Sequence, residues 1–542
     1  MRWVQNKPII NMRCNPQQYK QQTGAVLILI AFILGLGAAA FLIQSFAMRH
    51  LQIKQDEKTY QALNEAKAAL IAYAVSHPKY PGQLPFPDRN DDLEGYDGKS
   101  DCYTGTFDYR FLIGQLPIYG QTSPCLTPYT GLGGDWRDAQ GNRLWYAVSR
   151  NLVHEYQSPV VNPVINPDTA NLTDNWITVV DRNGNVISNR VAAVIIAPGN
   201  PIGSQDRTGA APNPDQFLDR IIRTSDNKPF KNYGYPLNAV QVNAFIMGED
   251  SRNMSTADTQ FLQPYYFNDK LIFITIDELI QALSLRAATD ASHLLNAYQA
   301  KTGQYPDAAN LGTTSYIAVS GNQKGFLPID VTDNCSCSSA NSCTCSFKPL
   351  YSVVFTHNVT GYTWASVAGS CTRSTNTCNC KGAGNCVNGA DYFKCDVDGL
   401  CTHNLTGTNQ YSFTAPDYAD IASVSGNCTI ISGKAVCTDA GTFAIGLAEP
   451  TWFKESKWQD YLYYQWSNTN NLNFGTRKPT SAILIMAGKS LTSELGIIQT
   501  RPSSDIKNYL DSTENTNNDA SFEAMNKSKS NSYNDQPFIV SP

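Results

Sequence analysis

The feature that most constrains this chain is an uncharged run, residues 25–48, with Lys20 before it and Arg49, His50 and Lys54 after it. About 20 apolar residues, rising 1.5 Å each in a helix, cross a bilayer core, so the run is expected to be a transmembrane helix. No Pro or Gly stands between Gln44 and His77, and Leu51, Ala62, Leu63, Ala66, Ala69, Leu70, Tyr73 and Ala74 recur at helical spacing. One continuous helix is therefore expected to run to Ser76, because Pro78 drives His77 out of the helical region. Arg2, Lys7, Arg13 and Lys20 precede the span with no acidic residue, whereas Asp56 and Glu57 mix with Lys54 and Lys58 beyond it. The positive-inside rule then leaves the N-terminus in the cytoplasm and exports the rest.

Lys20-Gln21-Gln22-Thr23-Gly24, set before an uncharged span that continues as a long helix, resembles the class III signal of type IV pilins and type II secretion pseudopilins. The resemblance implies that prepilin peptidase cuts after Gly24 and methylates Ala25, removing residues 1–24 as a leader. It also implies a bacterial inner-membrane protein with extracytoplasmic domains, other pilin or pseudopilin subunits as partners, and surface exposure within a filament. The family usually carries Glu at the fifth mature position, where this chain has Leu29, and that departure favours a minor or tip-like component.

Only 16% of the 542 residues are charged and the net charge is −5, which leaves no basic footprint for nucleic acid. Fifteen cysteines point to an oxidising compartment. Cys14 lies in the leader, and its loss leaves an even set of disulfide candidates: Cys102, Cys125, Cys335, Cys337, Cys343, Cys345, Cys371, Cys378, Cys380, Cys386, Cys395, Cys401, Cys428 and Cys437.

Beyond the helix, Tyr80-Pro81-Gly82 opens a loop, and Cys102 and Cys125 are expected to pair. Asp135-Trp136-Arg137-Asp138 through Leu144-Trp145-Tyr146 is similar to a stretched form of the Asp-Pro-Trp-Gly-Asn-Pro-Tyr segment of major pseudopilins. Asn183-Gly184 marks a hairpin between apolar strands, residues 191–197 read as a central strand, 217–222 as a short helix and 267–275 as a closing strand. A second helix is expected from about Leu279 to Lys301. The order then recurs. Tyr298 and Tyr305-Pro306 echo Tyr73 and Tyr80-Pro81, and Leu462-Tyr463-Tyr464 echoes Leu144-Trp145-Tyr146. Residues 482–488 echo 193–199, Tyr509-Leu510-Asp511 echoes Phe217-Leu218-Asp219, and Tyr533-Asn534-Asp535 echoes Phe267-Asn268-Asp269. The expected fold class is α+β: a transmembrane helix (25–48) continuing into a pilin-like head of helix on antiparallel sheet, duplicated in tandem as domains 49–283 and 284–542.

The second copy carries a cysteine-rich insertion, residues 335–437. Its Cys-x-Cys spacing differs from the Cys-x-x-Cys of structural zinc sites, so disulfides are expected, stapling a segment too polar to build its own core. Residues 428–437 read as a hairpin with a cysteine at each end. Tyr351, Phe355, Tyr362, Trp364, Tyr392 and Phe393 are available to fill its interior or to touch a ligand, and the interior is the better assignment for most of them.

No His-Glu-x-x-His, Gly-x-Ser-x-Gly or phosphate-binding loop is present, so no enzyme activity and no cofactor are expected. Residues 88–94 alternate oxygen ligands as a calcium loop does, but Leu93 stands where such a loop needs Gly. A solvated acidic loop is the expectation, with calcium the alternative. The function expected is that of a non-enzymatic minor pilin-like or pseudopilin-like component at a filament tip, contacting a surface or glycan. The alternative is a static, membrane-anchored periplasmic adhesin or carbohydrate-binding protein.

Overall fold

The structure is a computed structural model. It describes residues 23–90, 95–103, 105–120, 131–156, 160–181, 184–209, 211–223, 229–233, 244–248, 261–262, 267–312, 316, 318–328, 330–338, 342–345, 352–396, 400–407, 409–414, 419–447, 451–475, 477, 479–517 and 519–540. Two compact units divide the chain, Met1–Gln61 and Ala62–Pro542.

Helix α1 spans Thr23–Ser76, 54 residues. In the first unit its Leu29, Phe32, Leu34, Phe41 and Phe46 side chains are all more than 60% exposed. Among the described residues no helix is long and apolar enough to cross a membrane. The transmembrane assignment of residues 25–48 is therefore corrected, and with it the inner-membrane localisation. The physical reason is that the apolar run is not a unit of its own: Gly35, Gly37, Gln44 and Ser45 interrupt it, and the same helix carries on through Arg49, Lys54, Asp56, Glu57 and Lys58.

The expected α+β head on a membrane helix is corrected too, because the described chain is mostly β. Its strands are β1 (Ile113–Gln115), β2 (Trp145–Val148), β3 (Ile177–Asp181), β4 (Val186–Ala197), β5 (Arg220–Arg223), β6 (Pro229–Lys231), β7 (Ala244–Met247), β8 (Phe261–Leu262) and β9 (Lys270–Thr275). After α2 (Ile276–Thr302) come β10 (Lys324–Phe326), β11 (Asp330–Ser338), β12 (Ser342–Cys345), β13 (Ser352–His357), β14 (Ser366–Ser374), β15 (Thr377–Asn388), β16 (Asp391–Cys395), β17 (Leu400–His403), β18 (Asn409–Thr414), β19 (Ala419–Ile431) and β20 (Lys434–Leu447). Then follow α3 (Thr451–Glu455), β21 (Leu462–Trp466), β22 (Asn473–Phe474), β23 (Ala482–Met486), α4 (Thr513–Thr516), β24 (Ser521–Phe522) and β25 (Gln536–Ile539).

Two sheets share one frame. In the first, β1, β2, β4 and β9 lie side by side and antiparallel, with β3 and β7 extending β4. In the second, β10, β21, β23 and β25 repeat that order. Gly114 faces Tyr146 and Tyr146 faces Ile195, just as Gly325 faces Tyr464 and Tyr464 faces Leu484. Both tyrosines are fully buried and donate to a proline carbonyl, Tyr146 to Pro85 at 3.1 Å and Tyr464 to Pro306 at 3.0 Å. Strand β4 is nearly all apolar and buried from Val191 on, which its place between two neighbours demands.

Beside each sheet an arginine closes the same lock. Arg207 donates to the carbonyls of Gly199 (2.7 Å) and Phe217 (3.1 Å) and lies 5.1 Å from the Phe217 ring centre. Arg501 donates to those of Gly488 (2.7 Å) and Tyr509 (3.2 Å) and lies 5.3 Å from the Tyr509 ring. Gln205 bonds Asp219 at 3.0 Å and Gln499 bonds Asp511 at 2.9 Å. The carboxylates then receive backbone N–H groups reciprocally: Asp269 from Asp219, Asp219 from Asn268, Asp535 from Asp511, and Asp511 from Asn534. Burial, with the facing carboxylate second, holds Asp269 and Asp535 well above the usual carboxylate range. The short helix expected at 217–222 is corrected by this lock. Residues 214–216 form one 3-10 turn and β5 begins at Arg220, because Leu218 and Asp219 are pulled inward.

The equivalent glycines give a direct test of the shared frame. A Cβ on Gly114 would meet the Asp88 carbonyl oxygen at 2.2 Å, and one on Gly325 the Ala309 carbonyl oxygen at 1.9 Å. Gly114→Ala and Gly325→Ala should each cost about 1–3 kcal/mol, read as a lowered midpoint in chemical denaturation.

Candidate functional site

The insertion is a barrel. Strands β11, β12, β17, β16, β15, β13, β18 and β20 pair antiparallel in that order, and β20 returns to β11, so the ring closes. Among the described pairings β14 and β19 each have a single neighbour, so these two outer strands carry the open edges. β14 lies outside the ring against β15, and β19 against β20.

Alternation places one side chain in two inside, and the aromatics fall there. Phe355, Phe393, Phe413, Phe443 and Trp364 are buried; Phe355 stacks on Phe393 at 4.7 Å and meets Tyr411 at 5.2 Å. Tyr362 and Tyr392 are half-buried, and Tyr351 lies outside the described residues. The expectation that the insertion lacks a core of its own is therefore corrected, since a narrow barrel needs few apolar side chains to fill it. A buried polar chain crosses the same interior. The His357 Nδ1–H donates to Asn409 Oδ1 (2.7 Å), Asn409 Nδ2 donates to His403 Nε2 (3.0 Å), and His403 Nδ1 bonds the Tyr411 hydroxyl. With Nε2 accepting, His403 carries its proton on Nδ1. Burial pushes the Tyr411 hydroxyl up.

Among the described residues five disulfides staple the barrel: Cys337–Cys343, Cys371–Cys380, Cys378–Cys386, Cys395–Cys401 and Cys428–Cys437. Four of them join directly opposite residues of antiparallel neighbours, with Cα atoms 4.0–4.1 Å apart. Cys343 also faces Cys401, so two bridges line up in one rung across β11, β12, β17 and β16. Cys335 lies opposite Cys345 in the ladder. Cys102 is disulfide-bonded, and its expected partner Cys125 lies outside the described residues.

The outer hairpins are copies of one another, which sequence reading missed. Ser366-Val367-Ala368-Gly369-Ser370-Cys371-Thr372 matches Ser423-Val424-Ser425-Gly426-Asn427-Cys428-Thr429. The register slips at Gly369 and again at Gly426, whose φ values of 68° and 65° mark the same bulge. Where the first copy has Cys378 and Cys386, the second has Ala435 and Phe443, and Phe443 packs on Phe413 at 4.7 Å.

Other polar sites are already compensated. A cleft of about 640 Å³ is lined by Asp277, Glu278, Lys489, Lys529 and Asn531 among others. Burial pulls Asp277 upward, but Arg190 (3.2 Å) and Lys489 (3.0 Å) outweigh it and hold its carboxyl low, while Glu278 pairs with Lys67 at 2.9 Å. The expected solvated loop at 88–94 is corrected at its first residue. Asp88 is fully buried, accepts from Gly98 N–H at 2.8 Å, and is pushed up to about 8 by burial and then by Asp101. Asp91, Asp92, Leu93 and Glu94 lie outside the described residues. Burial first, then the charges of His154 and Arg286, lowers His77 to about 4.

These shifts set a sign for pH. A raised carboxyl stabilises the fold fully below its unfolded pKa and loses that contribution as pH rises through the folded value. The lowered histidines act only below their unfolded value near 6.5. Between about pH 6.5 and 8.5 thermal stability should therefore fall as pH rises, and Asp88→Asn should flatten that fall, read by circular dichroism melts. Replacing Cys428 and Cys437 together by Ser should cost about 2–4 kcal/mol, read as an earlier unfolding step in urea.

Gly24 and Ala25 lie in the first turn of α1. The structure gathers the cysteines of 337–437 into one barrel and keeps Cys102 apart from it. Sequence reading missed the Gln-x-Arg pairs at Gln205/Arg207 and Gln499/Arg501, although they recur in matching positions. No protein family, no curated protein and no solved structure matches the chain.

Proposed function

We propose that the chain is a non-enzymatic, minor pilin-like or pseudopilin-like subunit of a type IV pilus or type II secretion-type filament, placed at the tip with its barrel in contact with a surface or glycan. The observation that carries this reading is the outer part of α1. Apolar side chains there are exposed on every side, including Leu29, Ile30, Phe32, Ile33, Leu34, Leu36 and Phe41, and a helix hydrophobic all round needs other helices to bury it. Neighbouring subunits of a filament supply those helices. The Lys20-Gln21-Gln22-Thr23-Gly24 signal favours the same assembly, with prepilin peptidase as processing partner and Leu29 in place of the usual Glu favouring the tip. The stapled barrel suits a contact surface, because its bridges hold loops and edge strands in shape without a large core.

The N-terminal mass of the chain recovered from sheared filaments tests this. A chain beginning at methylated Ala25 is expected, and one that keeps residues 1–24 would end the reading. Immunogold particles should mark filament ends, and uniform labelling along the shaft would remove the tip placement.

A further inference from the structure

One polar cleft differs from the compensated ones. It has a volume of about 430 Å³, lies where β10 begins and β21 ends, and is lined by Asn322, Gln323, Lys324, Gln465, Trp466 and Asn471 among others. Gln465 is only 9% exposed, yet its amide is half satisfied. The Tyr463 hydroxyl, two residues back on the same face of β21, donates to Gln465 Oε1 at 2.8 Å. Burial pushes that hydroxyl up, so it keeps the proton it donates. Gln465 Nε2 is left with two N–H groups and no acceptor among the described residues. Lys324 faces Gln465 in the ladder and makes no ion pair among the described residues, and the Gln323 and Asn471 side chains make no hydrogen bond there.

The first sheet shows how the frame fills this place when it serves packing alone. The pair equivalent to Lys324 and Gln465 is Ile113 facing Ala147. Both are buried in an apolar cluster with Trp145, Val194 and Leu218. The duplicated frame therefore needs neither an amide nor an ammonium at these positions, and burying an unmatched amide costs free energy. A ligand that accepts from Nε2 removes that cost.

The polar groups are held in place in advance. The Trp466 N–H donates to the Gln323 carbonyl at 2.9 Å, and Asn322 Nδ2 donates to the Ala308 carbonyl at 3.2 Å, so little ordering remains for binding. The lining also selects the ligand. Lys324 and Asp519 are the charged residues of the cleft and balance each other, so a polyanion gains nothing there. A peptide added as a strand finds no edge, because Ala309 and Phe326 already bond each other in both directions beside β10. Amides that both donate and accept match hydroxyl groups, which do the same, and the half-buried Trp466 supplies an aromatic wall.

We propose that this cleft binds a neutral oligosaccharide, with Gln465 Nε2 and Lys324 Nζ donating to neighbouring ring hydroxyls and Gln323 and Asn471 holding its outer side. The site is separate from the barrel and does not rest on the filament reading.

The test titrates the purified full chain with lactose, maltose, cellobiose and diacetylchitobiose, read by calorimetry and saturation-transfer NMR. At least one of these disaccharides should bind. Gln465→Ala, which gives β21 the side chain that the first sheet carries at Ala147, should weaken binding about tenfold, and Asn471→Ala about threefold. Asn471 is exposed, so Asn471→Ala decides the matter even where Gln465→Ala fails to fold. Replacing Cys428 and Cys437 together by Ser should leave the affinity unchanged. Failure of all four sugars to bind overturns the proposal, as does binding that neither Gln465→Ala nor Asn471→Ala weakens. Binding that survives those two variants and is lost with the Cys428–Cys437 bridge places the sugar on the barrel, which overturns this site and leaves the barrel's contact role standing.

Discussion

Everything in the Ala62–Pro542 unit hangs on the burial of α2 on two sides. A surface helix hides one stripe, yet here adjacent positions are buried in turn after turn: Leu279 with Ile280, Leu283 with Ser284, and Ala287 with Ala288. One side meets β4 and β9 of the first sheet and another meets β23 of the second, so neither sheet has a complete core without this helix. Its ends are fixed locally: Thr275 caps the first turn through the Glu278 N–H, and Gly303, at φ 83°, closes the last. Arg286 reaches from α2 to the Val75 and His77 carbonyls at the end of α1 and rests 4.8 Å from the Trp452 ring. Those carbonyls would otherwise lack partners.

What was legible in the sequence was the part built by short-range chemistry. The stop at Ser76, the antiparallel pairing of β3 with β4 around Gly184, the central strand from Val191 and the second helix each follow from a turn residue, a proline or an apolar period, while Asn183 itself lies outside the described residues. The tandem echoes were legible because the lock repeats its own residues: Asp219 with Asp511, and Asp269 with Asp535, each have to receive particular backbone N–H groups. What failed was inference from composition. Residues 217–222 look helical by period, but the aspartate inside them bonds residues some fifty positions away and outvotes local preference. Residues 25–48 look like a self-contained span, but the helix to which they belong mixes small and charged residues into the same element.

The barrel shows why polarity misleads about a core. Its strands are Ser-, Thr-, Asn- and Gly-rich, yet period-two alternation sends Val353, Phe355, Phe393, Tyr411 and Phe413 inward together. The disulfides add what the small interior cannot. Cross-strand bridges between opposite residues restrict the unfolded chain and fix the register at once, and register is the weakest point of strands with little apolar contrast between their faces. The second outer hairpin shows the exchange: Ala435 and Phe443 stand where Cys378 and Cys386 stand in the first, and Phe443 packs on Phe413 where Cys386 makes a bond.

The place of the insertion explains how so large an element left the second sheet intact. β10 and β21 pair directly, and the barrel is threaded between them. It enters at Asp330 and leaves near Gly446, and these two residues face each other across β11 and β20. Entry and exit are thus already neighbours, so the frame meets the barrel as it would meet a short connection. Loop-closure entropy grows only slowly with length, and here the ladder between β11 and β20 closes the loop itself. The barrel could therefore acquire its own bridges and duplicate its own hairpin while Tyr464, Arg501 and α2 kept the contacts that their counterparts keep in the first sheet, and such independence is what a contact surface under separate selection requires.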